Sequence, residues 1–188
     1  MKRGVITTLK TLVALAVAFQ LASWTVAGAD YGKKAKVDTT STTLNKKDIK
    51  FINDAAEGGM MEVRMGEIGK QKGLSADVKQ FADRLVADHS KANDELKDLA
   101  SKKGVTIPAM VDDKHQKMLD KLSNASDFDK QFKDMAVKDH KKDIKEFERA
   151  EKKCEDADLK AWITKTLPTL QDHLRMAENL GITRTANK

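Results

Sequence analysis

Between residues 46 and 180 apolar side chains return every three or four positions, in four long segments whose rhythm is broken near the middle by one polar residue. Spacing of that kind places one face of a helix in a core. The segments are predicted at 46–72, 75–103, 126–154 and 156–180. Asn45 and Ser75 stand where N-caps belong, and Gly73, Gly104 and Gly181 where helices stop. Ser126, with Asp129 three positions later, reads as a capping box. Pro168 falls inside the last segment and is expected to kink it, since its ring removes a backbone donor and crowds the preceding turn. Strand patterns are nearly absent.

The connections set the topology. The first two segments and the last two are joined by tight turns, so each pair is antiparallel. Residues 104–125 are too many for a tight turn and hold a short helical stretch at 111–122. Such a stretch covers about 18 Å at 1.5 Å per residue, enough to cross a bundle and make the second and third long helices parallel. The expected fold is therefore all-α, a ferritin-like four-helix bundle whose crossover carries a short helix.

The inner stripe of the second helix reads Val78, Ala82, Leu85, His89, Ala92, Leu96, Leu99, and that of the fourth Leu159, Ile163, Thr166, Leu170, His173, Ala177, Leu180. In each, a histidine occupies an apolar position. Phe132, Ala136, His140, Phe147 and Cys154 share a face of the third helix; Ile52, Ala55, Gly59, Glu62, Gly66 and Gly69 share one of the first. Each helix thus offers one metal-capable side chain at similar depth: Glu62, His89, His140 and His173. Several buried imidazoles in one layer are costly unless each has a partner. One metal ion supplies a partner for all of them; a metal-free hydrogen-bonded network is the alternative.

Each histidine follows an aspartate: Asp88, Asp139 and Asp172. Neighbours on a helix point about 100° apart, so an aspartate cannot easily share an ion with the histidine beside it. It can hold the second ring nitrogen of a histidine on an adjacent helix, or be ordinary surface charge. His115 belongs to the crossover and is set aside. Gly59, Gly66 and Gly69 would make room around Glu62 for bulky side chains, unless Gly58-Gly59 simply breaks the helix. Met60, Met61 and Met65 offer thioethers to copper but equally serve as core filler.

The ends suggest export. Lys2, Arg3 and Lys10, an apolar run from Leu12 to Val26, and Ala27-Gly28-Ala29 form a signal peptide cut after Ala29. An uncleaved anchor is the rival, although the run is short for a span. Residues 1–29 carry three of the 35 basic residues and no acidic one, leaving 32 against 29, a net of +3. So small and dispersed an excess does not point to nucleic acid. No later stretch approaches membrane-spanning length. Residues 30–46 read as a polar tether, 47–182 as one domain and 183–188 as a tail. Cys154 is the only cysteine, so no internal disulfide forms and packing must stabilise the domain. At a helix end it reads as a small, partly buried residue, with pairing to another chain or metal binding as alternatives.

The run Ala55-Ala56-Glu57-Gly58-Gly59-Met60-Met61-Glu62-Val63 and Val78-Lys79-Gln80-Phe81-Ala82 with Asp88-His89 resemble a bacterial family of exported proteins. Phe128-Asp129, Asp139-His140 and Leu167-Pro168 with Asp172-His173 continue the likeness. It is the family of domain of unknown function 4142, often labelled predicted outer membrane protein and grouped with ferritin-like folds. The resemblance spans about 47–180 and implies a fold and an export route, not an activity.

A di-iron ferritin site wants Glu-x-x-His on two helices, whereas Val86 and Leu170 stand three positions before His89 and His173. Three histidines and one glutamate suit a single ion: zinc, iron, manganese or copper. The sequence reading is a periplasmic or secreted metal-binding bundle for storage, buffering or stress protection. A metal-free module that binds a protein partner or the cell envelope is the alternative. A peroxide-consuming metalloenzyme would need an open coordination position, and no serine or cysteine hydrolase constellation is present.

Overall fold

The computed structural model describes residues 44–181. The expected signal peptide and its cleavage site, residues 30–43 of the expected tether and the expected tail at 183–188 lie outside the described residues. Within them are four long helices and one short one: α1 (Lys46–Lys72), α2 (Ala76–Lys102), α3 (Asp113–Ser123), α4 (Phe128–Lys153) and α5 (Ala157–Asn179). None is long and apolar enough to cross a membrane.

The helix ends follow local chemistry. Asn45 accepts from the backbone N–H of Lys47 and Asp48, Ser75 from Val78, Asp112 from His115 and Asp156 from Leu159. Gly104 takes φ 71°, the left-handed conformation glycine adopts without steric cost. The expected capping box at Ser126 does not form. The helix starts at Phe128, and the Asp129 carboxylate accepts instead from Leu74 N and Ser75 N, at 2.9 Å each. Two orphan backbone donors in the α1–α2 turn are a better match for a charged acceptor than one N–H of its own helix. The short helix likewise starts at Asp113 rather than 111, because Asp112 caps it. α5 runs through Pro168.

Contacts at the ends fix the directions. Lys103, just past α2, pairs with Asp156 (2.7 Å) and Asp158 (2.6 Å) at the start of α5. Lys133 near the start of α4 donates to Glu178 O and Leu180 O at the end of α5, at 2.9 and 2.8 Å. Hence α2 and α4 run parallel, and α1 and α5 run the other way. α1 packs along α2 and α4, and α5 does the same; across the diagonal α1 and α5 meet through side chains, with the Phe51 ring edge-on to Trp162 at 6.5 Å. Residues 103–127 form the long crossover, and its α3 lies on α1 and α4, tied by Arg64 to Gln116 and Lys72 to Ser123 O.

The core comes in two clusters. One holds Ile52, Leu96, Phe147, Trp162 and Leu167, the other Met65, Phe81, Leu85, Phe132 and Ala177. His89, His140 and His173 lie buried between them in sequence on α2, α4 and α5, and Glu62 lies buried on α1 beside Met61 of the second cluster. Met61 and Met65 are packing residues of the second cluster. Cys154 is buried in the first, with Sγ 3.4 Å from Asp156 O. Burial and the charge of Asp48 push its thiol up, which keeps it an inert thiol rather than a thiolate.

Candidate metal centre

One side chain from each long helix reaches the layer: Glu62 from α1, His89 from α2, His140 from α4 and His173 from α5. The ring centroids of the three histidines are 5.1–5.7 Å apart. One ring nitrogen from each lies within 4.8 Å of the others. Glu62 lies against this trio, with Oε2 2.6 Å from His89 Nε2 and Oε1 3.1 Å from His140 Nδ1. The ring of Phe81 closes the layer on one side, 6.1–6.4 Å from His140 and His173.

The protons can be placed from the partners. His140 Nδ1 is 2.8 Å from Ala136 O, and a carbonyl can only accept, so Nδ1 carries hydrogen. His173 Nε2 is 2.9 Å from Asp88 Oδ2 and likewise donates. Burial would raise the Asp88 carboxyl, but hydrogen bonds from His173 and Arg84 bring it down, so it is an ionised acceptor. Burial, together with the charge of His89, lowers His173 to about 4. Burial also lowers His140, against the pull of Glu62. Both rings are therefore neutral, and each has spent its one N–H. The nitrogens left over, His140 Nε2 and His173 Nδ1, face each other at 3.3 Å with a lone pair on each.

Glu62 and His89 behave differently. Burial alone would raise Glu62, but the imidazoles around it, His140 and His89 foremost, overcome that and hold the carboxyl at about 2. Burial would lower His89, and the Glu62 charge raises it instead. Yet neither Glu62 oxygen nor His89 Nε2 has a hydrogen-bond partner of acceptable angle. Their 2.6 Å approach is thus a contact of charges rather than an in-line hydrogen bond. Fully buried acceptors without donors fit a cation: bonds of about 2.1 Å in a tetrahedral site set ligand atoms about 3.4 Å apart, close to the 3.3 Å between His140 and His173.

The three aspartates separate. Asp88 orients His173 from the adjacent helix. Asp139 is buried with Oδ2 unpartnered, and burial plus the Glu62 charge push its carboxyl up to about 6. Asp172 is exposed and pairs with Arg175. Two residues beside the layer were not singled out by the sequence pattern, Asn93 and Asp143, although they stand four positions after His89 and three after His140. Burial and the Glu62 charge raise Asp143 to about 7. With Asp54, Gly59, Glu62, His89 and Glu146 they line a cavity of about 30 Å³, more than the roughly 10–15 Å³ a single water needs. The helix-1 glycines make room for other groups than the histidines: a Cβ at Gly59 would sit 2.1 Å from Asn93 Oδ1, and one at Gly69 2.6 Å from the Phe132 ring. His115 forms a separate, partly exposed group with Glu57 and Asp112.

Residues 33–180 match the family described as Domain of unknown function (DUF4142). The chain belongs to that family. No curated protein sequence matches it. Among solved structures, CopM in its Cu(II)-bound form is similar, with a TM-score of 0.62 at 18% identity, covering 70% of this chain and 93% of that one. The Cu(I)-bound form of CopM gives 0.60 at 18% identity, covering 70% and 92%. A DUF305 fragment from Deinococcus radiodurans gives 0.63 at 10% identity, covering 72% and 95%. At these identities the likeness establishes a shared helical fold between this DUF4142 chain and its neighbours.

Proposed function

We propose that the mature protein is a periplasmic or secreted metal binder that holds one transition-metal ion between His89, His140 and His173, with Glu62 as the anionic fourth ligand. The facing lone pairs of His140 Nε2 and His173 Nδ1 carry this reading. Their other nitrogens are committed to Ala136 O and Asp88, so no proton within the layer relieves the approach, whereas a cation would. An N₃O donor set in a closed layer suits storage, buffering or protection against metal stress, and no catalytic role is assigned. Copper is the first candidate. Cu(II) stands highest among divalent ions for nitrogen sites, and CopM, of similar fold, carries copper.

A second reading, a metal-free helical module for a protein or envelope partner, is favoured by the Glu62–His89 charge contact, which neutralises the layer without an ion. One experiment separates the two. Untagged protein starting at Asp30 is purified and its metals measured by elemental analysis, beside a His89→Ala, His140→Ala variant. About one equivalent in the wild type and little in the variant is expected. Metal retained equally by both would place it elsewhere, at Glu57, Asp112 and His115 for example, and metal well below one equivalent in both would sink the proposal.

A further inference from the structure

Carboxylates descend into the layer in graded steps. Asp54 on α1 and Glu146 on α4 have side chains 45% and 37% exposed, Asp143 on α4 is 18% exposed, and Glu62 is fully buried. All four line the same cavity, with Asn93 and His89. Along the adjacent pair α1 and α4 the steps follow helical spacing: 54, 58 and 62 on one, 143 and 146 on the other. The middle step on α1 is Gly58, where a Cβ would lie 3.7 Å from Asp143 Oδ2, so no side chain fills that gap. Lys50 and Lys142 pair with Asp54, Asp143 and Glu146, but their side chains are 74% and 60% exposed and neither lines the cavity.

An acidic rim alone would mean little. Here it leads to a buried carboxylate with no hydrogen-bond donor on either oxygen, which points to a cation as what comes through. The other groove near the layer, between α2 and α5, is lined by Arg84, Lys91 and Lys165 beside Asp88 and Glu95. Three cations against two carboxylates oppose passage of a metal ion.

We propose that transition-metal cations enter and leave the histidine layer between α1 and α4, drawn by Asp54 and Glu146 and handed inward past Asp143 and Gly58 to Glu62. This rests on the metal-binding reading above and adds the route. Charged clefts with low-dielectric walls raise association rates by about 10–10³-fold, and the effect fades with salt.

The test is the rate of loading, followed by stopped flow as Cu(II) quenches Trp162, the one tryptophan in the chain from Asp30 and itself a wall of the cavity. Asp54→Asn, Glu146→Gln should slow Cu(II) association about tenfold at low salt, and the difference should vanish at high salt. Gly58→Leu, which plugs the gap without touching charge or ligands, should slow uptake and release alike and leave the Kd within about threefold. The control Lys91→Gln, Lys165→Gln should load at the wild-type rate. Wild-type rates in both folded rim and plug variants would overturn the route, as would tenfold faster loading in the control. An altered spectrum of bound Cu(II) in the rim variant would make those carboxylates ligands and also overturn it. If the wild type takes up no Cu(II) at equilibrium, the metal-binding reading fails and the route with it; normal uptake with unchanged rates refutes the route alone.

Discussion

His140 and His173 are kept neutral by burial, yet each is fixed in one tautomer by an acceptor outside the layer. For His140 that acceptor is a backbone carbonyl one turn back, which no substitution removes. For His173 it is Asp88, which can be changed. Asp88→Asn is expected to weaken metal binding about 10–100-fold, read by competition against a chelator of known affinity, whereas Asp172→Asn should leave it unchanged. Protons compete at the same atoms. His89 is raised in the metal-free protein, so its contribution to stability is complete below its unfolded value near 6.5 and is lost as pH rises through the folded one. Glu62 is lowered to about 2, so its contribution is present above 4.5 and lost only as pH falls toward 2. The pair therefore supports the metal-free fold fully between about pH 4.5 and 6.5. A metal must displace the His89 proton, and with Asp139 and Asp143 raised to about 6 and 7 further protons leave when a cation arrives. Calorimetric titration near pH 6.5 in buffers of different ionisation enthalpy should show at least one proton released per ion, with affinity rising from pH 6 to 8. The histidines and Glu62 were legible because each interrupts an apolar stripe. Asp143 stands on the same stripe, three positions after His140 and four before Phe147, but among the many carboxylates of this helix it gives no separate signal, and only the packing of α4 in the bundle leaves its side chain 18% exposed.

Two glycines one helix face apart do different work. At Gly66 a Cβ would meet Ala82 O and Val86 Cγ2 at 2.8 Å, backbone and a branched side chain that cannot yield. At Gly58 it meets only ordinary contact. Replacing a helical glycine with alanine is worth about 1 kcal/mol in propensity. Gly58→Ala should therefore stabilise by up to about 1 kcal/mol, while Gly66→Ala should destabilise by about 1–3 kcal/mol through overpacking of α1 on α2. Denaturant unfolding of both variants checks this. The sequence patterns located all four long helices because caps, stops and periodicity agreed. They misplaced the start of α4, where the partner of Asp129 lies more than fifty positions away in the chain, a distance local pattern cannot bridge.

At the scale of the molecule, one polar layer costs the bundle a continuous core. Replacing buried charged groups by apolar ones of similar volume is often neutral or stabilising. The variant Glu62→Leu, His89→Leu, His140→Leu, His173→Leu should join the two clusters, melt no lower than the metal-free wild type, and bind no metal. Equal or higher Tm with lost binding would identify the layer as retained for its ligand rather than for the fold. The crossover decides how that layer is assembled. The α1–α2 hairpin brings Glu62 and His89, the α4–α5 hairpin brings His140 and His173, and residues 103–127 are the covalent link between them. Each hairpin alone supplies half of the proposed coordination sphere. An ion bound there works as a rivet between two halves that are otherwise held by side-chain packing, and amide exchange across both hairpins should slow together when it is in place.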